Sequence, residues 1–113
     1  MTFTKFIAIA TLLLAAPGAF AEFTTVTLAS EVRLSEFRLP ASANGIATFK
    51  PCGACDMKNV SVNADTRYRL NDQFVSLPDM RRSLASVPNR NRKTVIVMHH
   101  LESDLITQIS INL

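Results

Sequence analysis

Apolar and polar residues alternate with period two along much of the chain, the pattern of strands with one buried and one wet face. In NVSVNADTRYRLN, the set Val60, Val62, Ala64, Thr66, Tyr68 and Leu70 alternates with Ser61, Asn63, Asp65, Arg67, Arg69 and Asn71. This predicts one long strand, or two strands bent at Asn63 to Asp65. The tail DLITQISINL sets Leu105, Thr107, Ile109, Ile111 and Leu113 against Gln108, Ser110 and Asn112. Between them, Thr94-Val95-Ile96-Val97-Met98 is a continuous run rich in β-branched residues, which predicts a strand covered on both sides.

Turn chemistry divides the rest. Asn44-Gly45 predicts a tight hairpin between a strand near Val32–Leu39 and one near Ile46–Lys50, because that dipeptide adopts positive φ readily. Asn71-Asp72 links the long strand to Phe74–Leu77, and Glu102-Ser103-Asp104 links the last two strands. One helix is expected near 78–87. Ser76 stands three residues before Asp79, with Pro78 in the first turn, and Met80, Leu84 and Val87 follow at helical spacing. Pro88 ends it, and PNRNRK reads as a loop.

From Gly45 onward the order is β-β-β-α-β-β, that of a five-stranded OB-type barrel, preceded by one or two strands between Glu22 and Pro40. The expected fold is all-β, a small barrel with one short helix, although an SH3-like barrel or an open β-roll passes through the same elements. Its core is expected to hold Val60, Val62, Tyr68, Leu70, Val75, Val95, Val97, Ile109 and Ile111.

The stretch Thr66-Arg67-Tyr68-Arg69-Leu70, followed by Val75-Ser76-Leu77-Pro78-Asp79-Met80, resembles a phrase found in small exported bacterial β-domains of unknown function. There a T-x-Y strand precedes V-x-L-x-D-hydrophobic. The resemblance spans about fifteen residues and implies a small exported β-fold without bringing an activity.

The N-terminus, MTFTKFIAIATLLLAAPGAFA, has the parts of a secretory signal: a cation at Lys5, an apolar run from Phe6 to Ala16, and the small-x-small site Ala19-Phe20-Ala21. Residues 1–21 are read as a signal peptide cleaved before Glu22, leaving residues 22–113 as one small domain, periplasmic or secreted. The apolar run is too short to cross a bilayer, which takes about 20 residues as a helix. The mature protein is thus expected to have no transmembrane segment.

Loss of Lys5 lowers the formal charge from +3 to +2, an ordinary balance. The clustering is less ordinary: Arg81, Arg82, Arg90, Arg92 and Lys93 fall in a window, Met80 to Leu101, without an acid. Two readings stand, a patch meeting an anionic envelope surface and a solvated helix face with its loop. Another exported protein is the alternative partner, and export argues against nucleic acid.

The two cysteines, Cys52 and Cys55, form a Cys-x-x-Cys in KPCGACD. Three chemistries are open to them. A disulfide staple suits an oxidising compartment, with Pro51 and Gly53 expected in the turn that brings the sulfurs together. A zinc or copper site of Cys52, Cys55 and His100, with Met57 or Met98 available to a soft ion, would use only one of the adjacent histidines, since neighbours in a strand face opposite ways. The other histidine is expected at the rim. A thiol–disulfide oxidoreductase needs a helix N-terminus after the first cysteine to stabilise its thiolate, and DMKNVSVNADTRYRL reads as strand. No Gly-x-Ser-x-Gly elbow, close carboxylate pair or glycine-rich phosphate loop is present. The sequence therefore reads as a small exported accessory or binding module without a cofactor, with metal binding and thiol redox as the alternatives.

Overall fold

The computed structural model describes residues 26–113, so the expected leader and the cut before Glu22 lie outside the described residues. Eight strands form one mixed sheet: β1 (Thr27–Arg33), β2 (Phe37–Arg38), β3 (Ile46–Phe49), β4 (Lys58–Ser61), β5 (Arg67–Leu70), β6 (Gln73–Val75), β7 (Thr94–His100) and β8 (Leu105–Ile111). One α-helix, α1 (Leu77–Ala85), lies between β6 and β7, and short 3-10 turns form at Leu34–Glu36 and Arg90–Arg92. No helix among the described residues is long and apolar enough to cross a membrane.

The last strand in sequence lies in the middle of the sheet. One edge of β8 pairs antiparallel with β7, and the other runs parallel first to β4, at Ser61↔Leu105, and then to β5, from Arg67↔Gln108 to Leu70↔Ile111. The alternating stretch 59–71 is thus two strands with a bend between them. Asn63 and Thr66 make the bend: the Asn63 N–H donates to Thr66 Oγ1 (3.1 Å), the Asp65 N–H to Asn63 Oδ1 (2.9 Å), and the Thr66 N–H to the Asn63 carbonyl (3.1 Å). The buried Thr66 hydroxyl donates to the Ile106 carbonyl of β8 at 2.7 Å.

The outer strands of the ladder are β1, against β7, and β2, against β3; the two do not pair with each other, so the sheet is open and the expected barrel is not closed. The break falls at Leu34–Glu36, where a 3-10 turn replaces extended backbone and the Leu34 N–H bonds the Lys93 carbonyl at 2.9 Å. Because β1 runs through this turn directly into β2, one segment, Thr27–Arg38, supplies both ends of the β1-β7-β8-β4-β3-β2 ladder, and the sheet curls around a single core, with β6 as a further edge beside β5.

Core positions follow the alternation where strands are regular. Val60, Val62, Tyr68, Val95, Val97, Ile109 and Ile111 are buried, and Leu70 and Val75 pack against them half-buried. Val32, Leu34, Phe37, Ala47, Phe49, Met80, Leu84 and Ile106 complete the cluster. Two expectations fail for definite reasons. β7 is covered on one side only, with Val95 and Val97 fully buried and Ile96 39% exposed between them. In β8 the register shifts at Met98/His99, so that Met98 faces Gln108 and His99 faces Ile106. This bulge leaves Thr107 unopposed, turns Ile106 inward and reverses the expected phase at the start of the strand.

The turns also redistribute. Asn71 and Asp72, at φ 49° and 67°, form the two-residue β5–β6 hairpin, using the tolerance of Asn and Asp for left-handed backbone. Asn44-Gly45 has no positive φ; instead the Gly45 N–H bonds the Ser42 carbonyl at 3.0 Å, and a Cβ at Gly45 would meet that same oxygen at 3.2 Å. In α1 the Ser76 hydroxyl accepts from the Asp79 N–H at 3.2 Å, capping the helix as its spacing implies, and the helix ends at Ala85, short of Val87.

Replacing Thr66 by valine keeps the shape while stranding the Ile106 carbonyl and the Asn63 N–H, and should cost about 1–3 kcal/mol in denaturant unfolding. Thr66→Ser keeps the hydroxyl and should lose about 1 kcal/mol or less. Equal midpoints for T66V and wild type would rule out this role for the bond.

Candidate functional site

Cys52 and Cys55 are joined in a disulfide across the turn between β3 and β4, with Cα atoms 5.0 Å apart and the Cys55 N–H bonded to the Cys52 carbonyl at 3.1 Å. Cys52 is exposed and Cys55 half-buried. The chain continues from Cys55 into β4, so no helix N-terminus faces the sulfurs. Gly53 is not demanded by sterics: its φ is not positive, and a Cβ there meets nothing within 4 Å. Beside the turn, a cleft of about 390 Å³ is lined by Glu31, Val32, Arg33, Glu36, Lys50, Cys52 and Gly53, with Lys50 Nζ 3.7 Å from Glu36 Oε2.

The metal alternative does not assemble. Among the described residues no group of three His, Cys, Asp or Glu side chains is placed to hold an ion. The thiols are consumed in the disulfide, and His100 sits at the opposite end of the sheet. His100 closes the row His100–Leu105–Ser61–Ile46, whereas the cysteines follow Phe49, beyond the far end of β3. Its Nδ1 lies 2.9 Å from Ser103 Oγ. His99 faces the other way and is not a rim residue: it is 3% exposed, with Nε2 2.7 Å from Asp104 Oδ1. Asp104 holds left-handed backbone (φ 55°) in the β7–β8 turn.

The five cations of the acid-free window separate into three environments. Arg82 pairs with Asp79 one turn back on the exposed side of α1. Arg92 and Lys93 line a depression of about 320 Å³ with Thr94, Ile96, Ser110, Ile111 and Asn112. Arg81 and Arg90 converge on a larger cleft, about 580 Å³, between α1 and the Leu34–Leu39 segment. Each is tethered by one N–H: Arg81 Nη2 donates to the Pro40 carbonyl at 2.6 Å, and Arg90 Nη1 to the Leu84 carbonyl near the end of α1, also at 2.6 Å. The second bond caps a helix C-terminus with a cation, as the helix dipole favours.

A third arginine, Arg38, joins this cleft. The sequence reading passed over it, because Arg38 lies more than forty residues before Arg81 and the two segments meet only in the fold, through the Arg81–Pro40 bond and the packing of Leu34 and Phe37 with Leu84. The signal present was the alternation Phe37-Arg38-Leu39 after Leu34. Leu34, Phe37 and Leu84 form a buried floor, with Leu39 half-buried and Ala85 exposed at its sides. Near it lies Tyr68, 6% exposed, whose hydroxyl has no partner among the described residues. Burial pushes its pKa up, and the positive charge of Arg81 draws it partly back. A second surface cluster sits on the β5–β6 hairpin, where the Arg67 guanidinium lies 3.9 Å from the ring centroid of the exposed Phe74.

Removing the disulfide with Cys52→Ser and Cys55→Ser should lower stability by about 2 kcal/mol, the loop-closure value for so short a loop, and leave the circular dichroism spectrum unchanged. Gly53→Ala should be neutral or stabilise by up to about 1 kcal/mol through the unfolded chain. A destabilised G53A would mean that the turn needs glycine after all. No protein-family model, curated protein or solved structure matches this chain.

Proposed function

We propose that the chain is a small exported binding module, periplasmic or secreted, whose mature domain begins at Glu22 and is closed at one turn by a disulfide staple. The observation that carries this reading is the Cys52–Cys55 disulfide on an exposed turn that leads into a strand. Such a pair suits an oxidising compartment, and without a helix dipole behind it lacks the usual means of stabilising an attacking thiolate. The fold is a partly open barrel of OB type. Supporting this are the order β1-β7-β8-β4-β3-β2, the continuous β1–β2 segment at both edges, the parallel contact of β4 with β8, and a helix ahead of β7.

The partner is an anionic envelope surface, met by Arg92 and Lys93 beside the cleft that holds Arg38, Arg81 and Arg90. The outward row of β3 and β4, Ile46, Thr48, Asn59 and Ser61, offers no aromatic ring on which a base could stack, and Lys58 is the one exposed cation of the two strands.

Mass determination on protein recovered from the exported fraction should show a chain that begins at Glu22 with both sulfurs oxidised. An intact Met1, or two free thiols in that fraction, defeats the reading. Retention on vesicles containing phosphatidylglycerol should fall steeply with salt, because screening acts over about 8–10 Å. Retention should drop in Arg92→Ser/Lys93→Ser with little change in stability, since exposed charges contribute little to folding.

A further inference from the structure

The cleft between α1 and the Leu34–Leu39 segment combines three features. Its lining includes three arginines and no acidic residue. The nearest acids in sequence are engaged elsewhere, Asp79 with Arg82 and Glu36 with Lys50. Its floor is aliphatic and aromatic, with Leu39 and Ala85 accessible at the sides. A guanidinium carries five N–H donors in a planar fork that matches two oxygens of a carboxylate or phosphate. Arg81 and Arg90 each spend one N–H on a backbone carbonyl, which fixes the groups and leaves their other donors for a ligand. Arg38 has no ion-pair partner among the described residues. Packing Arg38, Arg81 and Arg90 around one cleft carries mutual repulsion that an oxyanion would relieve, and the adjoining apolar floor strengthens such a contact by lowering the local dielectric. The volume, about 580 Å³, falls within the range of small-molecule sites, roughly 300–1,000 Å³.

We infer that this cleft binds the phosphate or carboxylate head of a small amphiphile. Arg38, Arg81 and Arg90 hold the head, and the first part of an apolar chain lies along Leu39 and Ala85. Arg38 is the arm that closes on the ligand, since the other two are tethered. The inference rests on the binding-module reading and names a ligand class for it. It concerns a cleft separate from the Arg92–Lys93 depression that the vesicle measurement probes.

The protein supplies its own reporter, because Tyr68 is the only tyrosine and there is no tryptophan. Its phenol is near enough to Arg81 to feel that charge. Titrating the full mature chain with octyl phosphate or octanoate below their micelle concentrations should give a saturable change in tyrosine fluorescence. Inorganic phosphate should bind at least about tenfold more weakly, lacking the apolar contact, and neutral octyl glucoside should give no saturation. Arg38→Gln should weaken octyl phosphate about tenfold, as expected for losing one charge-assisted contact. Ala85→Glu, which places a carboxylate at the wall from an exposed helix position, should abolish binding, whereas Arg92→Ser/Lys93→Ser should bind octyl phosphate as wild type does. Undiminished affinity in either R38Q or A85E overturns the inference, as does octyl glucoside or inorganic phosphate binding as tightly as octyl phosphate. Preferring octyl phosphate or octanoate sorts phosphate from carboxylate heads, and either preference upholds the site. If octyl phosphate fails while vesicle retention stays salt-sensitive, the cleft assignment falls and the surface-binding reading stands.

Discussion

The buried hydroxyl of Thr66 holds the sheet together at its least regular point. Parallel strands lack the short hairpin that fixes register between antiparallel neighbours, so β4 and β5 must be aligned on β8 by something else. That alignment comes from a bend whose hydrogen bonds are internal and whose one outward bond reaches the Ile106 carbonyl. The contact falls beside the bulge that turns Ile106 into the core. The bend therefore meets β8 at the point where the strand changes phase, next to the buried Ile106. A polar group so deep in an apolar core is tolerable only because it is bonded, and its directionality specifies a register that apolar packing alone would leave free to slip.

Most strand identities were legible from alternation, because a half-buried pleat imposes period two wherever backbone pairing is regular. Legibility stopped where regularity did. Nothing local in LITQIS marks Thr107 as an unopposed residue, since a bulge is a property of two strands and is fixed here by β7. Ile96 read as covered because its neighbours are apolar, yet β-branched residues also serve an exposed strand face. The Asn44-Gly45 hairpin failed for a related reason. Seven residues separate β2 from β3, so the turn is set by a close approach to Ser42 and not by positive φ.

The candidate sites divide along the same line. The disulfide was readable because its residues are near in sequence and need only a turn. The cationic cluster was readable as composition but not as geometry: five charges in one acid-free window reach three environments, and the cleft beside α1 recruits Arg38 from another part of the chain. What fixes the cleft is a pair of arginine-to-carbonyl bonds, one docking α1 on the loop after β2 and one closing the helix end. Both use arginine as a structural strut and as a charge, and a sequence shows only the charge.

The central position of β8 has a kinetic meaning. The first strand pairs with β7, across a separation of over sixty residues, and the strand that joins the two halves of the sheet is the last one in the chain. Contacts so distant in sequence carry a large loop-closure cost before they return any stability, which slows folding relative to a helical protein of equal length. Until Leu105–Ile111 is available, β4, β5 and β7 have no common neighbour, and the sheet is divided into three separate pieces, β1–β7, β2–β3–β4 and β5–β6. The complete sheet therefore forms only once Leu105–Ile111 has been inserted between β7 and the β4–β5 pair.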